Sequence, residues 1–113
     1  MIRLNTEYSP AAKNDLLLIH RKIEENFGIN VAKDVLLRIT VQIRRLEQFP
    51  LSGVYLGEVI HSITDYRYIF VEKNYIFYRF ERESIKIVRV LNQKQNYIDH
   101  LNNVDTTESN KND

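Results

Sequence analysis

The residues with chemical potential gather in the second half of the chain: the cations Arg67, Lys73, Arg79, Arg89 and Lys94, interleaved with the phenols Tyr66, Tyr68, Tyr75, Tyr78 and Tyr97. Cleavage of RNA by attack of a ribose 2′-hydroxyl needs a base, an acid for the leaving oxygen and a cation for the phosphorane charge, with no obligatory metal. Arginine, lysine and tyrosine can fill those roles, provided that nearby cations lower a phenol from its usual pKa of about 10. The same residue types also serve packing and ion pairing. Tyr75 and Tyr78 fall on opposite faces of one strand, so at least one packs, while Arg79 and Arg89 can pair with Glu81, Glu83 or a partner's carboxylate.

Other chemistries find less support. His20, His61 and His100 are scattered without the spacing of metal ligands, so no metal is expected. The only glycines are Gly28, Gly53 and Gly57, which excludes a glycine-rich phosphate loop, and there is no GxSxG elbow. No cofactor is expected. Cysteine is absent, which removes disulfides and thiolate chemistry and fits a reducing cytosol.

The elements that must position these groups follow from periodicity. Residues Ile2 to Tyr8 alternate as a short half-buried strand. Ser9 and Pro10 form an N-cap and first helical position, and Ala12, Leu16, Ile19, Ile23 and Phe27 make one apolar stripe. Gly28 is placed to end that helix in the left-handed conformation, and Asn30 to cap the next. Ala32, Val35, Leu36, Ile39, Ile43 and Leu46 repeat the stripe to about Gln48, before Phe49-Pro50-Leu51-Ser52-Gly53 breaks it. Lys13, Asp15, Arg21, Lys22, Glu24, Glu25, Lys33, Asp34 and Arg38 are expected on the solvated outer faces.

Beyond the break, Val59 to Ile63 is ambiguous, and Tyr66 to Val71, Tyr75 to Phe80 and Ile85 to Leu91 read as a three-stranded antiparallel meander. Alternation puts Ile85, Ile87, Arg89 and Leu91 on one face of the last strand, against Lys86, Val88 and Val90. Gln93 to Asn102 has helical character, anchored by Tyr97, Ile98 and Leu101. The expected fold is α+β: an N-terminal strand, an αα-hairpin packed on a small antiparallel sheet of three to four further strands, and a short C-terminal helix. The other sheet face is expected to be partly open.

At 113 residues and 43% hydrophobic content, the chain suits one domain over 1–103, followed by a polar, disordered tail over 104–113. Net charge is +1, which by itself argues neither for nor against nucleic acid, but the chain lacks the dense cationic stripe usual in a duplex-binding protein. No segment approaches the roughly 18 apolar residues of a membrane span, so a soluble cytoplasmic protein without membrane association is expected.

Four patterns in fixed order resemble the RelE/ParE superfamily of bacterial toxins: YSPAAKNDLLLI, AKDVLLRITVQIRRLEQFPLSG, DYRYIFVEKNYIFYRF and IKIVRVLNQKQNYIDHL. The resemblance spans Tyr8 to Leu101. It implies the toxin of a type II toxin-antitoxin system, held inactive by a cognate antitoxin and meeting operator DNA only through that antitoxin. Plasmid stabilisation is a role that such systems serve. RelE-like members cut messenger RNA on the ribosome, whereas ParE-like members inhibit DNA gyrase without being nucleases.

Two departures from the interferase pattern favour the ParE-like branch. The central strands carry only Arg67, Lys73 and Arg79, and Asn92 followed by Gln93-Lys94-Gln95 stands where many family members have histidine and paired arginines. Asparagine does not transfer protons as imidazole does. The expectation is therefore growth inhibition by binding DNA gyrase, with Arg89, Lys94, Tyr97 and His100 at the target interface. The alternative is a ribosome-dependent endoribonuclease using Tyr97, Arg67, Arg79 and Arg89, and a third reading is a non-toxic interaction module of the same fold.

Overall fold

A computed structural model of the chain describes residues 4–61 and 64–95. Strand β1 (Asn5–Tyr8) leads into helices α1 (Pro10–Phe27) and α2 (Ile29–Arg45). Strand β2 (Val54–Tyr55) and the short helix α3 (Leu56–Ile60) follow, and β3 (Arg67–Val71), β4 (Asn74–Glu81) and β5 (Ser84–Asn92) complete the order. The five strands form one sheet in the order β1-β5-β4-β3-β2. The meander is antiparallel, whereas β1 runs parallel to β5. The architecture is the expected α+β one. Gln93 to Gln95 form a turn, and the rest of the expected C-terminal helix and the 104–113 tail lie outside the described residues.

Helix α1 starts where Ser9 and Pro10 predict it. Ser9 Oγ accepts from Ala12 N at 2.9 Å, satisfying one of the free N–H groups of the first turn. The hairpin link is tighter than expected: Gly28 alone joins the helices. Its φ of 94° requires glycine, but its ψ of 168° is extended, not left-handed helical. Its N–H donates to Glu24 O and its carbonyl accepts from Ala32 N. Gly28 therefore occupies the cap position expected for Asn30, which lies inside the first turn of α2. Phe27 also departs from its expected place, being 71% exposed at the overhanging end of α1. Arg44 and Arg45 in the last turn of α2 oppose the negative end of its dipole.

The last strand does not alternate simply, because Phe77 pairs with Arg89 and Tyr78 with Ile87, leaving Val88 as an extra residue. This β-bulge shifts the alternation by one. Ile85, Ile87 and Val90 consequently join the core under the helix hairpin, with Ala12, Ile39, Ile43, Leu46, Ile76 and Tyr78. Val88 and Leu91 join a second cluster on the opposite face, with Leu56, Tyr66 and Phe77. Helix α3 covers part of that second face, and Phe70 remains 50% exposed.

Beyond Ile87 no strand among the described residues lies along the edge of β5, since β1 pairs only from Ser84 to Ile87. Side chains of α1 and its cap take over. Ser9 N donates to Ile87 O at 2.9 Å, Ser9 Oγ donates to Val88 O at 2.7 Å, and Val90 N donates to Asp15 Oδ2 at 2.9 Å. The Asp15 carboxylate also receives Arg89 in a bidentate pair, Nε to Oδ2 at 2.7 Å and Nη2 to Oδ1 at 2.9 Å. Asp15 is thus buried and structural, in contrast to the solvated position expected for it.

The chain after α2 is fixed from below. Tyr78 Oη donates to Pro50 O at 2.8 Å and accepts from Gly53 N at 2.9 Å. Gly53 is required there, because a Cβ would collide with Tyr78 Oη and lie 2.8 Å from the Tyr68 carbonyl oxygen. Burial pushes the Tyr78 phenol above its ordinary value, against smaller lowering effects of the Gly53 hydrogen bond and the Arg67 charge. Tyr8 is raised by the same cause, with the Glu47 charge adding to it.

Two outcomes follow from these contacts. Asp15→Ala should destabilise the fold by about 3–5 kcal/mol in urea unfolding, since it strands a buried guanidinium. Asp15→Leu combined with Arg89→Met should lose only about 1–3 kcal/mol, the share left by an unpaired Val90 N–H. For the phenols, folding favours the neutral form, so their contribution is full below the ordinary value of 10.0 and is lost as pH rises through the raised folded-state values. Unfolding free energy should fall with pH in that alkaline range, and Tyr78→Phe should make the fall shallower while lowering stability at neutral pH.

Candidate functional site

The arginines singled out by the sequence do not converge. Arg67 lies opposite Tyr78 across the β3–β4 ladder, and cross-strand neighbours share a face. Its Nη1 donates to Gly53 O at 3.1 Å and its guanidinium stands 5.7 Å from the Tyr55 ring centroid, so it braces the same loop as Tyr78. Arg79 follows Tyr78 on β4 and turns to the opposite face. There it pairs with Glu81 at 2.7 Å and stands 5.7 Å from the Tyr66 ring centroid. Arg89 is committed to Asp15, with 14% of its side chain exposed against 8% for the carboxylate.

The phenols are equally divided. Tyr78 lies under the helices, where burial moves its pKa away from the range a general base needs. Tyr68 and Tyr75 join Phe70 and Phe77 in an aromatic ladder on the opposite face, with Tyr68 edge-on to Tyr75 at 5.4 Å and Phe70 tilted on Tyr75 at 4.9 Å. Such pairs add packing energy beyond their area. Tyr97 and His100 lie outside the described residues. Among the described histidines, His20 sits 3.6 Å from Glu24 on α1, and His61 ends α3 with φ 53° and ψ 45°.

Lys73 and Lys94 behave differently from the arginines. Both are exposed, and a backbone bond brings their segments together: Gln93 N donates to Lys73 O at 2.9 Å. The turn after β5 is closed locally, Lys94 N donating to Asn92 Oδ1 and Asn92 N to the Gln95 side chain. These two lysines stand at the mouth of a groove of about 740 Å³ between the helix hairpin and the ends of β4 and β5. Leu18, Ile23, Phe27, Val31 and Val35 form its apolar wall, and Lys22 adds a third cation to its rim. Its size lies within the roughly 300–1,000 Å³ of ligand sites.

The sequence signal for Asp15 was available in its spacing, three residues after Ala12 and four before Ile19, which sets it on the apolar stripe. Only the arrival of β5 explains why a carboxylate belongs there. Lys22 carried no comparable signal, because its place at the groove depends on the turns at residues 72–74 and 93–95 meeting beside α1. Among the described residues no group of three His, Cys, Asp or Glu side chains could hold a metal ion, and no helix is long and apolar enough to cross a membrane.

Residues 6–97 match the family described as the ParE toxin of the type II toxin-antitoxin system, parDE. The fold is similar to a solved structure titled as the chromosomal ParDE TA system from P. aeruginosa, with a TM-score of 0.69 and 18% sequence identity over 81% of this chain and 98% of that one. No curated protein matches the chain in sequence. With the family model covering most of the domain that carries the strands, hairpin and lysine-rimmed groove, the chain belongs to the ParE toxin family of type II toxin-antitoxin systems.

Proposed function

We propose that this ParE-family toxin inhibits growth by binding its target, with no catalytic step, and that DNA gyrase is the target and a cognate antitoxin the neutralising partner. The observation that carries the binding reading is the dispersal of the arginines. Arg67 braces a loop, Arg79 pairs on one sheet face and Arg89 is locked to Asp15. A phosphorane needs converging donors at its developing charge, an arrangement that these separate engagements do not favour. Gyrase as the target comes from the ParE-like pattern of the sequence. In this reading Lys94 at the end of β5 and the adjoining residues Tyr97 and His100 meet the target, and Arg89 fixes the strand that presents them.

Exposed lysines at an interface rim steer association and set its salt dependence. Replacing Lys73 and Lys94 together by glutamate should leave the urea midpoint unchanged and weaken target binding about thirtyfold, on the order of 1 kcal/mol for each rim charge reversed. The deciding experiment is induced expression in a susceptible bacterium, with plasmid supercoiling and messenger integrity followed together. Loss of negative supercoiling with intact transcripts, relieved by co-expression of an acidic antitoxin, is the expected result. Transcript cleavage on ribosomes that disappears in Tyr97→Phe would replace this reading with the endoribonuclease one, and absence of any growth effect would leave an interaction module.

A further inference from the structure

The groove beside α1 is apolar on one side, cationic at its rim, and borders the point where the described chain stops. Leu18, Phe27 and Val31 are large hydrophobics left exposed on its wall. Such surface on a small domain marks a contact that is still to be made. Asn74, buried at the groove, donates through Nδ2 to Glu72 O and leaves Oδ1 without a hydrogen-bond partner. A buried acceptor of that kind calls for a donor. Lys22, Lys73 and Lys94 have no carboxylate within ion-pair distance among the described residues, whereas Asp15 and Glu72 nearby are already taken by Arg89 and Arg38.

The chain itself carries a segment of matching chemistry at the right place. Lys94 and Gln95, which directly precede that segment in the chain, line the groove. The eighteen residues that follow contain Tyr97, Ile98 and Leu101 at a spacing that aligns them on one side of a helix, then Val104. They also hold Asp99, Asp105, Glu108 and Asp113 against the single Lys111, a net charge of −3, opposite in sign to the three lysines that line the groove. A tethered segment pays far less association entropy than a free ligand of equal affinity.

We infer that the groove between the helix hairpin and the ends of β4 and β5 is an intramolecular docking site for the segment 96–105 of this chain, with Ile98 and Leu101 against its apolar wall and Asp99 and Asp105 toward its lysines. This goes beyond the choice of target and does not depend on it.

The absence of cysteine makes the test direct, because Asn102→Cys provides a unique attachment point for a nitroxide in the full chain. In the labelled protein the methyl signals of Ile23, Val31 and Val35 should be lost by paramagnetic broadening, while those of Val54 and Val59 persist. Ile98→Asp with Leu101→Asp should restore the groove signals without moving the remaining methyl resonances. Three results would overturn the inference. The groove signals could persist in the labelled chain, which would leave the groove for a separate protein. The broadening could survive the double aspartate change, which would assign it to something other than apolar docking. Or it could appear equally when a nitroxide-bearing chain without isotopes is mixed with an isotope-labelled chain without nitroxide, which would make a second copy the occupant.

Discussion

The free edge of β5 is the constraint on which the rest of the domain depends. A strand edge inside a packed domain exposes N–H and C=O groups that must find partners. Here β1 covers only the first part of that edge, and the backbone from Ile87 to Val90 is completed by Ser9 and Asp15. The same two residues therefore cap a helix, close a sheet edge and receive a buried guanidinium. Because α1 is fixed along β5 by polar contacts with directional geometry, the hairpin above it has one available position over the sheet. Its apolar stripe then meets Ile76, Tyr78, Ile85, Ile87 and Val90.

A buried ion pair is an expensive way to hold a helix, since a hydrophobic pair of similar volume is often as stable. Its value at Asp15 lies in direction. The carboxylate satisfies a backbone N–H and a side chain at adjacent residues of the bulged segment, so a slip of β5 by one residue would break all of these contacts together. The bulge in turn lets Val88 and Leu91 reach the second cluster while Val90 stays in the first. Both faces of a small sheet become apolar in this way, and the strand ends are held firmly enough for their turns to form one wall of a groove. Exposed groups such as Lys73 and Lys94 stand at the margin of this frame.

Much of this frame was legible in the residues. Ser9 and Pro10 marked the start of α1, the apolar repeats of four and three gave the hairpin, and the polar turns near residues 72–74 and 81–84 separated the strands of the meander. Family resemblance was also carried by local patterns in order, which explains why it agreed with the match over residues 6–97. The misplacements share a physical origin. Asn30 was expected to cap α2 because its side chain can do so, yet a single glycine with positive φ closes one helix and opens the other, leaving no room for a separate cap. Asp15 looked solvated because charge on a helix usually is, and nothing local announces a partner seventy-four residues away.

What the sequence by itself determined was the helix hairpin, the three strands of the meander and the family, because helix caps, turn residues and hydrophobic period act over a few neighbouring residues. What only the tertiary structure decided was the pairing of β1 with β5, the bulge at Val88 and the distribution of the arginines to separate partners. These depend on which distant groups arrive to satisfy buried polar atoms. That condition has no period in the sequence, and it is what drew Arg67, Arg79 and Arg89 into separate structural contacts.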